Sequence, residues 1–131
     1  MRTLVTRYLQ LSLTSTYAEL SLTAPGDCEL ASVLLTLRET TNPAAQGPSD
    51  LYFYPGSSAS VLTAAAKCFA MIQFTDIMTA APASLGSPFA NLLVPLFGIK
   101  VPRNTLLTIG GATNSGQTSF AQAVLLIAIV S

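Results

Sequence analysis

The chain contains no histidine, and that absence removes much of the familiar side-chain chemistry. Ser-His-Asp and Cys-His nucleophilic systems need an imidazole to carry the proton, so neither can be assembled from these residues. Zinc sites built on His and Cys fail too, because Cys28 and Cys68 supply only half of a closed tetrahedral shell. Cys68 sits in the apolar run Lys67-Cys68-Phe69-Ala70-Met71, where a thiol acts as a small hydrophobe, and both cysteines read as free thiols.

Carboxylates and one glycine-rich stretch are the remaining chemical candidates. Asp27 and Glu29 lie two apart beside the Pro25-Gly26 turn and fit a calcium site only if other loops add oxygens, so a solvated turn is the preferred reading. Glu19, Glu39, Asp50 and Asp76 are too dispersed to form an acid–base pair. Gly111-Ala112-Thr113-Asn114-Ser115-Gly116-Gln117-Thr118 has the glycine spacing and final Thr of a phosphate-binding loop, but Gln117 stands where the phosphate-contacting Lys belongs. It reads as a strand connection. No catalytic, cofactor-binding or metal-binding residue is therefore assigned, and no cofactor is expected. Tyr52, Phe53 and Tyr54 alternate across a strand, so at least one is expected to face outward, as a contact anchor or an ordinary edge-strand aromatic.

The elements that carry these residues are mostly strands. Leu9-Gln10-Leu11-Ser12-Leu13-Thr14 and Glu19-Leu20-Ser21-Leu22-Thr23 alternate apolar and polar positions, the period of a half-buried strand. Ala24-Pro25-Gly26-Asp27 is a turn. A strand over Leu30 to Arg38 follows, in which Leu34 interrupts the alternation and implies partial cover of the outer face. Thr40 to Ser49 reads as a long loop, Leu51 to Tyr54 as a strand, and Ser60 to Lys67 as one or two helical turns. Phe69 to Thr75 is a strand and Ala80 to Pro88 a loop, while Pro95 makes Leu92 to Ile99 an edge or irregular strand. Leu106 to Ile109 and Phe120 to Val130 form two strands joined by Gly110 to Gln117, and the nearly all-apolar last strand is expected to be central and covered on both faces.

Seven to eight short strands bounded by turns describe an all-β fold, a single antiparallel β-sandwich of jelly-roll type over residues 1–131, with 1–7 a possible N-terminal arm. Leu35, Leu37, Leu107, Ile109, Val124 and Leu126 are the expected core, and Leu126→Ala is expected to cost on the order of 2–5 kcal/mol.

Charge points to the kind of partner. Charged residues make up 9% of the chain and cancel to a net charge of zero, against about a quarter charged in an ordinary soluble domain. Twelve charges (six basic and six acidic) leave faces covered by Ser, Thr and Ala or by apolar groups, so association with further copies of the chain is expected. Arg2, Arg7, Arg38, Lys67, Lys100 and Arg103 are scattered singly, which disfavours nucleic acid. The longest apolar run, Ala123 to Val130, is far below the ~20 residues of a membrane helix, and the start lacks a signal-peptide core. Membrane partners are not expected.

The segment Val101-Pro102-Arg103-Asn104-Thr105-Leu106-Leu107-Thr108-Ile109, its Gly/Asn/Ser loop and the strand Phe120-Ala121-Gln122-Ala123-Val124-Leu125-Leu126 resemble the closing hairpin of small jelly-roll decoration, cement and minor capsid proteins of bacteriophages. The resemblance implies a non-enzymatic virion protein made in the host cytoplasm. It implies a homo-oligomer, with a trimer as the first expectation, docked on a major capsid protein or another virion protein. It transfers no functional residue. The alternative expectation is a jelly-roll module that binds carbohydrate or a receptor, as in a spike or fibre, with aromatic and polar groups clustered at one end.

Overall fold

A computed structural model describes residues 2–39, 49–58, 60–74, 88–113 and 119–130. Its elements run β1 (Arg2–Leu13), β2 (Ala18–Thr23), β3 (Cys28–Glu39), β4 (Ser49–Pro55), α1 (Val61–Lys67), β5 (Ala70–Phe74), β6 (Pro88–Val101), β7 (Leu106–Thr113) and β8 (Ser119–Val130). The strands form two four-stranded antiparallel sheets, sheet A in the order β1-β8-β3-β6 and sheet B in the order β2-β7-β4-β5. This interleaving of early and late strands is the jelly-roll topology, and the fold is an eight-stranded β-sandwich. Among the described residues no helix is long and apolar enough to cross a membrane.

The core lies between the sheets. Leu9 and Leu13 of β1, Leu35 and Leu37 of β3, and Leu125 and Ile127 of β8 meet Leu51 and Phe53 of β4 and Leu107 and Ile109 of β7. Phe53 and Phe69 pack with ring centroids 5.6 Å apart, a spacing that favours tilted aromatic pairs.

Register decides which residues reach this core. Val33 and Leu35 pair with Leu125 and Ala123 of β8, whose other neighbours are Arg7 and Leu9. The odd-numbered side chains of β8 therefore point inward. Val124 and Leu126, expected in the core, lie on the opposite face and are half-buried. Period-two logic identifies a buried face only when the two faces differ in polarity, and in β8 they do not. That strand is central, as expected, yet no described element covers its outer face.

Four further expectations are corrected. Residues Arg2 to Arg7 are not an arm: they extend β1 and pair in register with Leu125 to Val130. Gly110 and Gly111 are not a loop but lie within β7. A Cβ on Gly111 would strike the backbone carbonyl of Asp50, and one on Gly110 would strike the hydroxyls of Tyr17 and Tyr54, so glycine here permits close approach. β6 begins at Pro88, inside the stretch read as a loop up to that residue. Tyr52 and Tyr54 do face outward from sheet B, but with Phe53 they are fully buried, so none is an exposed contact anchor or edge aromatic.

In β3, Leu30 pairs with Ile127 and Ser32 with Leu126, so Ala31 is an extra residue. This bulge switches the inward parity from Cys28 and Leu30 to Val33, Leu35 and Leu37.

Candidate association surface

Most side-chain chemistry gathers on the outer face of sheet B. Ser60 caps α1 by accepting from the Thr63 amide at 3.3 Å, and the Thr63 hydroxyl accepts from the Ser60 amide at 3.3 Å. This reciprocal cap fixes a helix that a seven-residue stretch would not sustain alone. Ala64, Val61 and Cys68 pack on Tyr52 and Tyr54. The Tyr54 hydroxyl donates to the Glu19 carboxylate and bonds the Tyr17 hydroxyl, while the Ser58 amide donates to the same carboxylate at 2.9 Å. Lys67 stands 5.4 Å from the centroid of the Tyr54 ring and donates to the Ser57 carbonyl. Burial, then the Glu19 and Tyr17 hydrogen bonds, hold the Tyr54 hydroxyl far above its usual range. Burial likewise raises Tyr17. The network is satisfied internally and ties helix to sheet.

The sequence candidates occupy structural positions. Asp27 accepts from the Arg103 amide at 2.9 Å, and Glu29 pairs with Arg2 at 2.9 Å. Cys28 and Cys68 are free thiols, with burial raising both above the usual thiol range. Asp50 is raised by burial, against a hydrogen bond from Tyr52, and its Oδ1 has no partner. Asp76 and residues 114–118 of the phosphate-loop-like stretch lie outside the described residues, as does the side chain of Glu39. Among the described residues no three His, Cys, Asp or Glu side chains are grouped to hold a metal.

Sheet A presents a different outer face. Cross-strand pairing sets Tyr8, Val124, Leu34 and Leu93 in one row across all four strands. Thr6, Leu126, Ser32 and Pro95 form the next, and Leu4 and Ala128 begin a third. A polar row of Gln10, Gln122, Thr36 and Asn91 bounds this field, with the Thr36 hydroxyl donating to Asn91 at 3.0 Å. Tyr8 is 68% exposed, Leu4 65%, Leu93 63% and Phe97 90%. Exposed apolar groups scattered singly are ordinary; contiguous rows on one sheet are not. The interruption at Leu34 was the sequence signal for this face. Phe97 gave none.

No protein-family profile matches the sequence, and no curated protein is similar to it. Solved structures are similar in fold. One of turnip yellow mosaic virus covers 100% of this chain and 95% of its own, at 14% identity and a TM-score of 0.53. One of Desmodium yellow mottle tymovirus covers 100% and 89%, at 12% identity and a TM-score of 0.53. The cyanophage Pam1 capsid asymmetric unit covers 98% and 86%, at 15% identity and a TM-score of 0.52. At these identities the likeness is one of fold, and it supports the jelly roll.

Proposed function

We propose that this chain is a non-enzymatic structural protein of a virion, a capsid decoration, cement or minor capsid subunit that associates with copies of itself and docks on a shell built by a major capsid protein. The observation that carries the reading is the open apolar outer face of sheet A, on a fold shared with a cyanophage capsid structure and two plant-virus structures. A contiguous exposed apolar face of this kind marks a surface that associates with another. Closed symmetry is the usual outcome for identical subunits, three copies about one axis being the arrangement implied by the bacteriophage resemblance. Its place of action is the virion, after synthesis in the host cytoplasm.

A glycan-binding jelly roll fits less well. It would cluster several aromatic rings with polar groups at one end of the sandwich, whereas the hollow of about 410 Å³ beside Asp27, Cys28 and Pro102 has no aromatic side chain in its lining and the hollow beside the Arg2–Glu29 pair has the single ring of Phe97.

Sedimentation of purified protein with assembled particles from its source tests the reading. Co-pelleting at a fixed ratio to the shell subunit is expected. Protein that stays in the supernatant and is monomeric at micromolar concentration would overturn it.

A further inference from the structure

Among the described residues, one buried side-chain oxygen lacks a hydrogen-bond partner, Oδ1 of Asp50. Such an atom is costly when it carries charge, because hydration is lost and nothing replaces it, and much less so when the group is neutral. Asp50 is half-buried on β4, two positions before Tyr52 and on the same outer face of sheet B. Its neighbours in register are Gln73 of β5 and Ala112 of β7.

The groups around the carboxyl explain the deficit. Tyr52, on the same strand, donates one hydrogen bond. Opposite this stretch β7 carries Gly110, Gly111 and Ala112, which have no polar side chain. The facing positions on β5 are Met71 and Gln73, both uncharged residue types. Lys67 of α1 is turned to the Ser57 carbonyl and the Tyr54 ring, the Cys68 thiol donates to the Ala65 carbonyl at 3.5 Å, and Tyr17 bonds Tyr54. Glu19 of β2 accepts from Tyr54 and from the Ser58 amide. No described cation therefore compensates Asp50 once it ionises.

Movement of β4 against β7 offers no relief. A Cβ on Gly111 would strike the Asp50 carbonyl, so the two backbones are pressed together at this point and a slide would lose that fit. The side that can give is β5, a five-residue edge strand bonded within its sheet to β4 alone.

We infer that Asp50 makes this corner of sheet B a proton-sensitive clasp: β5 is held on β4 while the Asp50 carboxyl carries its proton, and the pairing of residues 49–51 with 72–74 loosens when it ionises. The device needs no second chain. Burial, opposed by the Tyr52 hydrogen bond, holds the carboxyl above its usual range in the closed corner, whereas an opened corner ionises near pH ~4. The closed form thus keeps its proton to higher pH. Its advantage is complete below pH ~4 and is lost as pH rises through the raised value, the reverse of a carboxylate that folding pairs with a cation.

Hydrogen exchange of the full chain, corrected for the intrinsic effect of pH on exchange, tests the clasp. Between about pH 4 and about pH 8 the protection of residues 49–51 and 72–74 should fall at least ~5-fold, while residues 123–125 at the centre of sheet A keep theirs. Asp50→Asn and Asp50→Leu, neither of which ionises, should each hold the acid value at both ends of the range; the second variant covers the case in which a buried amide also finds no partner. Tyr52→Phe, which removes the donor to the ionised form, should steepen the fall. Level protection in the wild type, a fall that persists in both Asp50 variants, an equal fall in residues 123–125, or a fall no steeper in Tyr52→Phe would overturn the clasp.

Discussion

Sheet B closes its outer face with its own chain: a capped helix lies over Tyr52 and Tyr54, and their hydroxyl chemistry ends on Glu19 and Tyr17. The outer face of sheet A has the opposite character, with rows of Leu, Val and Tyr side chains under no helix or loop of the described structure. Both faces are apolar at their centre. One is finished by seven helical residues and the other is left open by the described chain. The difference teaches that polarity along a strand reports the presence of cover, while the source of that cover depends on tertiary structure.

Stability measurements can break or sharpen this contrast. The largest effect is expected at Leu125, fully buried between the sheets: Leu125→Ala should lower the unfolding free energy by about 2–5 kcal/mol in urea titrations. Tyr54→Phe should cost about 1–3 kcal/mol, because it removes a donor from the half-buried Glu19 carboxylate and a partner from Tyr17. If Tyr54→Phe is neutral, the closed face of sheet B is held by the helix contacts alone.

Alkaline titration probes the same network. Burial, first of all, raises both Tyr54 and Tyr17 in the folded protein, whereas the unfolded chain ionises its tyrosines near pH ~10. The unfolded state thus loses protons first, and the stabilisation is complete below pH ~10 and falls as pH rises above it. The urea midpoint should hold up to about pH 10 and decline above it, less steeply in Tyr54→Phe; parallel slopes would contradict the assignment. The smallest effect is expected at Leu126, one position from Leu125 but on the open face. Leu126→Ala should cost under about 1 kcal/mol in the monomer and act on association instead. A loss equal to that of Leu125→Ala would mean that the outer face of sheet A is packed.

Much of this fold was legible in the sequence. The alternations at Leu9 to Leu13 and Leu20 to Leu22, the Pro25-Gly26 turn and the helical turns after Ser60 each follow from local preference, and each is present in the structure. Leu35, Leu37, Leu107 and Ile109 are buried as expected. Strand partners were not legible, because pairing β1 with β8 is a long-range property with no local signature. The inward face of β8 was hidden by its apolar residues at both parities, and the Ala31 bulge by the lack of any distinctive residue type. The glycines of β7 read as a loop because their purpose, room for Asp50 and two tyrosine hydroxyls, lies in segments distant in sequence. At the surface, Leu34 announced an apolar outer face, but the exposure of Phe97 depends on a left-handed bulge that composition does not encode.

The position of β8 also sets a timetable. It is the last of the eight strands to be translated and it fits between β1 and β3. Until it emerges, those two strands cannot pair with each other without closing a gap of two strand spacings, roughly 9–10 Å. At ~5–20 residues per second, the ribosome holds the nascent chain for seconds with β1 and one edge of β3 unpaired. Pairings so distant in sequence form slowly once they become possible, on the order of milliseconds to seconds for sandwich folds. During that interval the chain exposes strand edges that other nascent copies can join, so the yield of native protein should depend on the rate of synthesis more than the modest size of the chain suggests.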